Sequence, residues 1–151
     1  VRDQTSWMLD LLRDPAVTGT LIVAVPEEMP VTETLELAAR LRSETDVDLA
    51  GVIVNRVLPE LFGHREEAVF RDLLEPGPTE TLREGAGSAV TKVLAGADLA
   101  VQLRRSRAAH IARLRDDLPP RTPVLFVPEL FSRTQGIRAT RTLAEALGDE
   151  L

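Results

Sequence analysis

Polar residues stand directly after three short apolar runs of the sequence, and their types suit the recognition of a nucleoside. Glu27 follows the run 20–25, Asn55 ends the run 50–55, and a polar loop from Pro128 to Gln135 follows the run 123–127. The Asn55 carboxamide offers a donor beside an acceptor, which is the complement of a purine edge. The Glu27 carboxylate can accept hydrogen bonds from ribose hydroxyls. The ends of the three runs therefore form the candidate site.

Both leading residues also have a structural interpretation. Asn55 can tie down the loop that follows its own strand, because asparagine side chains often bond to nearby backbone groups in turns. Glu27 can cap the helix that begins just after it. Sequence position alone leaves the binding role and the structural role open for both residues.

Other residues that commonly carry chemistry are absent or badly spaced. The chain has no Cys, and His64 and His110 lie in no metal-binding or triad spacing. No serine lies in G-x-S-x-G. Neither common phosphate-binding glycine motif occurs, and the one lysine, Lys92, does not follow a glycine. The chain therefore lacks a triphosphate cradle of its own, so we expect no catalytic residues in it.

The elements that must position the candidate site read as an alternation of helices and strands. Each apolar run is continuous, which is typical of strands covered on both faces in a parallel sheet. Helical periodicity predicts helices over 6–13, 31–43, 62–74, 89–118 and 136–147. The segment 75–79 reads as a turn and 83–88 as a mobile loop. The sequence thus predicts a three-layer α/β fold with a parallel sheet, as a single α/β unit over 1–151.

The composition limits the class of protein further. The chain has 151 residues, of which 44% are hydrophobic, so it can bury a core and is not disordered. The formal net charge of −6 argues against nucleic acid as a partner. No apolar run reaches the roughly 18 residues of a membrane span. The absence of Cys fits a reducing cytoplasm.

A cluster of arginines is the densest positive segment. It comprises Arg104, Arg105 and Arg107, with Arg113 and Arg115 further along. Such a cluster could contact a phosphate, an acidic partner or a membrane surface. The favoured interpretation is the polar face of a long helix, paired locally with Asp116 and Asp117.

Read together, the strand ends resemble the ArsA family, which comprises anion-transporting (arsenite-pump) ATPases and tail-anchored-protein targeting ATPases. The resemblance covers roughly 14–60 and 122–148. The residues that carry it are Asp14-Pro15-x-x-Thr18, Val25-Pro26-Glu27 with Glu33-Thr34, Val52-Ile53-Val54-Asn55-Arg56-Val57-Leu58-Pro59, and Val127-Pro128 with Gly136. Their order and spacing are more specific than any single piece.

The resemblance implies that this chain is the C-terminal part of a P-loop NTPase domain, without the P-loop. It implies ATP and Mg²⁺ as ligands of the intact protein, with the phosphate loop and the Mg²⁺ ligands upstream of this chain. It maps the ribose contact onto Glu27 and the adenine contact onto Asn55. The family's loop over the base maps onto Pro128, Glu129, Leu130, Phe131, Ser132 and Arg133.

The resemblance also implies partners, and it leaves an alternative. Family members work as homo- or heterodimers with an ArsA-like subunit, in the cytoplasm or peripherally at the membrane, some with a membrane-associated protein. Arg133 stands where the family commonly has Glu, and the lack of a C-x-x-C motif excludes the zinc-bridged dimer of the targeting branch. The alternative is a non-catalytic α/β protein-interaction domain derived from this fold. A flavodoxin-like enzyme is disfavoured, because no catalytic constellation occurs.

Overall fold

Three parallel strands form the centre of the computed structural model, which describes residues 2–130 and 136–150. The strands are β1 (Thr20–Ala24), β2 (Leu49–Val57) and β3 (Val124–Pro128), in the spatial order β1-β2-β3. Ile22 lies beside Val52, and Val52 lies beside Val124. Together with the helices between the strands, this confirms the predicted α/β fold with a parallel sheet.

Six helices accompany the strands. They are α1 (Arg2–Arg13), α2 (Glu28–Glu44), α3 (His64–Leu73), α4 (Pro76–Ala86), α5 (Ala89–Asp117) and α6 (Ile137–Gly148). Five of them match predicted helices, with ends that differ by a few residues. The largest difference is at α1, which begins four residues before its predicted start.

Helix α4 corrects two predictions, the turn over 75–79 and the mobile loop over 83–88. Pro76 occupies the start of the helix, where its fixed φ is already helical and its missing N–H would have no helical partner. The helix ends at Ala86 and is followed by Gly87, whose φ of 88° is in the left-handed region that favours glycine. The Pro-Gly-Pro segment therefore starts a helix here.

The chain divides into two compact units, Val1–Leu58 with Arg107–Leu151, and Pro59–Ser106. The core of the first unit lies on one face of the sheet. Its buried members are Ile22, Val52 and Val54 from the strands, Val31 and Ala38 from α2, and Leu114 and Leu118 at the end of α5. These side chains exclude water between the sheet and two helices, which is the main source of stability in such a layer.

The other face of β1 is open. Leu21 and Val23 are 53% and 62% exposed, whereas their neighbour Ile22 is 8% exposed. The prediction that each continuous apolar run is covered on both faces is therefore wrong for β1, because no described residue covers that side. The run has the composition of a doubly covered strand but is covered here on one face only.

The second unit consists of α3, α4 and the first part of α5. Phe62 stacks on Phe70 with ring centroids 4.8 Å apart, and Phe70 is 6% exposed. Glu67 pairs with both Arg71 and Arg105. Within the described part of the chain, no helix is long and apolar enough to cross a membrane.

Candidate functional site

The carboxyl ends of the three strands lie along one edge of the sheet, because neighbouring strands are parallel. Glu27 follows β1, Asn55 lies near the end of β2, and Glu129 follows β3 directly. The Glu129 N–H donates to the carbonyl of Val57 at 2.9 Å, which joins the exits of β2 and β3. The sheet thus brings the three predicted positions to one edge.

Asn55 is held by its own turn. Its Oδ1 accepts a hydrogen bond from the backbone N–H of Arg56 at 2.8 Å. Arg56 has a φ of 61°, an uncommon conformation for a residue with a side chain. This bond is the loop-tying role that the sequence left open. It also fixes the carboxamide, whose NH₂ has no partner among the described residues and whose oxygen retains a second lone pair.

Glu27 occupies the N-cap position of α2 but makes no side-chain capping bond. Its carboxylate instead accepts a hydrogen bond from Nη2 of Arg107, at 3.3 Å to Oε1. The Glu27 side chain is 55% exposed, so the other carboxylate oxygen remains accessible to a ligand. The structural role predicted for Glu27, a side-chain cap, is therefore wrong.

Arg107 is the residue of this edge that sequence reasoning missed. Its Nη1 donates to the carbonyl of Arg56 at 3.2 Å, and its side chain is 14% exposed. A signal was present, because Arg107 precedes Ile111 and Leu114 at helical spacing on the core-facing stripe of α5. A charged residue on such a stripe usually has a specific buried partner.

The predicted local pairing of the arginine cluster is wrong for most of its members. Arg113 does lie near Asp117, with Nε and Oδ2 3.7 Å apart. Arg107 instead pairs with Glu27, Arg105 pairs with Glu67, and the Arg115 guanidinium lies 5.4 Å from the centre of the Phe126 ring. The cluster serves several separate contacts, because successive helix positions face different sides.

A second ion pair, between Arg56 and Glu129, lies at the carboxyl end of β3. Nε of Arg56 donates to Oε2 of Glu129 at 2.7 Å, and the Glu129 side chain is 18% exposed. Pro128 is exposed and Leu130 is half-buried. Three further predicted members of the base-lining loop lie outside the described residues, namely Phe131, Ser132 and Arg133.

The groups at this edge can hold a ligand by hydrogen bonds and charge. They present carboxylate and guanidinium groups already fixed by each other, together with the Asn55 carboxamide. In residues 2–130 and 136–150, no cluster of three or more His, Cys, Asp or Glu is arranged to hold a metal ion. Two open grooves of about 370 and 550 Å³ lie elsewhere, and both are lined by Arg42, Pro119 and Pro120.

In a comparison with known protein families, residues 1–69 match the family of anion-transporting ATPases (ArsA_ATPase). The matched segment contains Glu27 and Asn55. No curated protein matches the chain. The family match indicates a function related to nucleotide-dependent ATPases. Over residues 1–69 the chain therefore resembles the ArsA-type anion-transporting ATPases, which agrees with the resemblance indicated by Glu27 and Asn55.

Proposed function

We propose that the strand exits bind the adenosine end of ATP in an ArsA-like ATPase. Asn55 contacts the adenine and Glu27 accepts a hydrogen bond from the ribose. The loop after β3 lines the base with Pro128, Glu129, Leu130, Phe131, Ser132 and Arg133. The observation that carries the proposal is the fixed Asn55 carboxamide at the end of the central strand, within the segment that matches the family.

The anchoring of Asn55 favours recognition of a base. Its Oδ1 is fixed by the Arg56 N–H, so a ligand does not have to immobilise the side chain, and the entropic cost of binding is lower. The carboxamide can then donate to a ring nitrogen of adenine and accept from the exocyclic amine. Guanine carries a carbonyl oxygen, which is an acceptor, where adenine carries the amine, which is a donor. The site should therefore prefer ATP to GTP.

The proposal includes the role of the chain in a larger assembly. The chain over 1–151 serves as the C-terminal part of an ATPase domain whose other residues bind the phosphates and Mg²⁺. The open apolar face of β1, formed by Leu21 and Val23, supports a covering element of that domain. Hydrolysis in the intact protein, working as a homo- or heterodimer in the cytoplasm or at the membrane, drives anion transport or membrane-protein targeting.

A second candidate function rests on the ion pairs at the edge. Glu27 and Glu129 are already paired with Arg107 and Arg56. These pairs also suit a non-catalytic interaction domain that keeps the fold without binding nucleotide. A measurement of nucleotide binding distinguishes the two functions, because only the ATPase part is expected to bind ATP.

The test is calorimetric titration of the longest natural form of the protein with ATP and with GTP, in the presence of Mg²⁺. We expect selective binding of ATP. Replacement of Asn55 by Ala should weaken ATP binding by about 1–3 kcal/mol, the cost of unmatched polar groups at a base edge. Gln102→Ala is the control, because among residues 2–130 and 136–150 that amide bonds only to Asp98 in its own helix. If the two variants bind ATP with equal affinity, Asn55 does not contact the nucleotide. If the protein folds but binds neither nucleotide, the interaction domain is favoured.

A further inference from the structure

One guanidinium joins the exits of two neighbouring strands. Nη2 of Arg107 donates to Oε1 of Glu27 at 3.3 Å, and Nη1 donates to the carbonyl of Arg56 at 3.2 Å. The first acceptor follows β1, and the second lies one residue beyond Asn55 in β2. A single planar cation therefore contacts Glu27, which the proposed function assigns to the ribose, and the residue that follows Asn55.

The burial of this cation argues for a role beyond stability. The Arg107 side chain is 14% exposed, and its Nε is buried without a hydrogen-bond partner among the described residues. Removing the guanidinium from water is costly, and its partner Glu27 is 55% exposed, so the ion pair compensates for only part of that cost. The planar fork nevertheless fixes the direction of both acceptors, which a flexible ammonium would not do.

Glu27 is the exposed end of this arrangement. One of its carboxylate oxygens accepts from Arg107, and the other has no partner among the described residues. A carboxylate held in this way keeps its second oxygen at a constant position. Such an oxygen can accept a hydrogen bond from a hydroxyl, and a charge-assisted bond of this kind is stronger than a neutral one.

We propose that Arg107 is a positioning residue that gives the site its preference for ribose. It acts through Glu27, which it holds toward the ribose hydroxyls, and it supports the turn that carries Asn55. This inference rests on the proposed function, because it assumes that adenosine binds at the strand exits. It adds a residue from α5, which lies outside the segment that matches the family.

The experiment compares the affinities for ATP and for 2′,3′-dideoxy-ATP, which lacks both ribose hydroxyls. We expect the natural protein to prefer ATP by about 10-fold or more, the size of one hydrogen bond to a charged group. Arg107→Gln should reduce this preference to about 3-fold or less. Arg113→Gln is the matched control, because Arg113 lies on the same helix, where it donates to Thr32 Oγ1 and forms an ion pair with Asp117. This variant should keep the full preference.

A purely structural arginine would behave differently. Its replacement would weaken both nucleotides by the same factor and leave the preference unchanged, and that result would overturn the inference. In a Glu27→Gln background, Arg107→Gln should not lower the preference further, because Arg107 acts through that carboxylate. A further loss there would contradict the inference. If Arg107→Gln does not fold, Arg107→Lys replaces it, since one ammonium cannot present the same two donors.

The outcomes also separate this inference from the proposed function. A natural protein that binds neither nucleotide contradicts both. Binding of ATP that weakens with Asn55→Ala, but with equal affinity for the dideoxy nucleotide, supports the adenine site and overturns the role of Arg107. Binding with a preference that Arg107→Gln removes supports both.

Discussion

Glu80 and Arg83 form an exposed ion pair one turn apart on α4, and the pair predicts how Glu80 titrates. The hydrogen bond from Arg83 lowers the pKa of the Glu80 carboxyl below its ordinary value. A lowered pKa means that the interaction is complete above the ordinary pKa of glutamate and is lost as the pH falls through the lowered pKa. NMR titration of the Glu80 carboxyl should therefore give a midpoint below that of glutamate in a peptide.

Two variants check the cause of that shift. Arg83→Gln should move the Glu80 midpoint upward, because it removes the charged donor. The same change at Arg138, an exposed arginine on α6, should leave the midpoint where it is. If Arg83→Gln leaves the titration midpoint of Glu80 unchanged, the ion pair does not persist in solution, as is common for exposed ion pairs.

The candidate site illustrates which residues a sequence can indicate. Asn55 and Glu27 are recognisable because polar residues at the ends of apolar runs meet at one edge of a parallel sheet. The helical spacing singles out Arg107 as a charged residue on a core-facing stripe, but not its partners, because they lie 80 and 51 positions away in the chain. The partner of a charged residue on a core-facing stripe depends on tertiary packing, which no local pattern encodes.

At the scale of the elements, α5 is anchored in the first unit by Leu114, whose side chain is fully buried. Leu114→Ala should lower the free energy of unfolding by about 2–5 kcal/mol, because it removes apolar contacts and leaves a cavity. Leu37→Ala on α2 is the matched control, since Leu37 is 44% exposed and should cost about 1 kcal/mol or less. Urea denaturation measures both, and equal losses would contradict the packing of α5 against the sheet.

The elements that sequence reasoning found are those with strong periodicity or continuous apolar runs. Helix α4 was missed because its Pro76, Gly77 and Pro78 are typical of turns, and only the position of the helix start makes them compatible with a helix. The coverage of β1 was also mispredicted. Its apolar side chains are suited to two covered faces, but coverage depends on what packs there and not on the strand itself.

At the scale of the whole molecule, the first unit exposes apolar side chains on α1 and on β1. Helix α1 exposes Trp7, Met8, Leu9, Leu11 and Leu12 to at least 40%, and β1 exposes Leu21 and Val23. Helix α1 is nevertheless held in place, since Thr18 Oγ1 donates to the Leu11 carbonyl at 2.8 Å and Arg13 lies 3.3 Å from Asp46. An apolar helix fixed in this way is suited to contact with another part of an ATPase domain, in agreement with the proposed function.

Trp7 makes this surface measurable, because it is the one tryptophan of the chain and is 65% exposed. In the 151-residue chain at low concentration, acrylamide should quench Trp7 almost as efficiently as in urea, and emission should shift little on unfolding. The variant Phe70→Trp with Trp7→Phe is the control, because position 70 is 6% exposed and its tryptophan should be protected until the chain unfolds. Strong protection of Trp7 itself would contradict the exposure of α1. If that protection disappeared on dilution, a second copy of the chain would be identified as the covering partner, since association between copies depends on concentration.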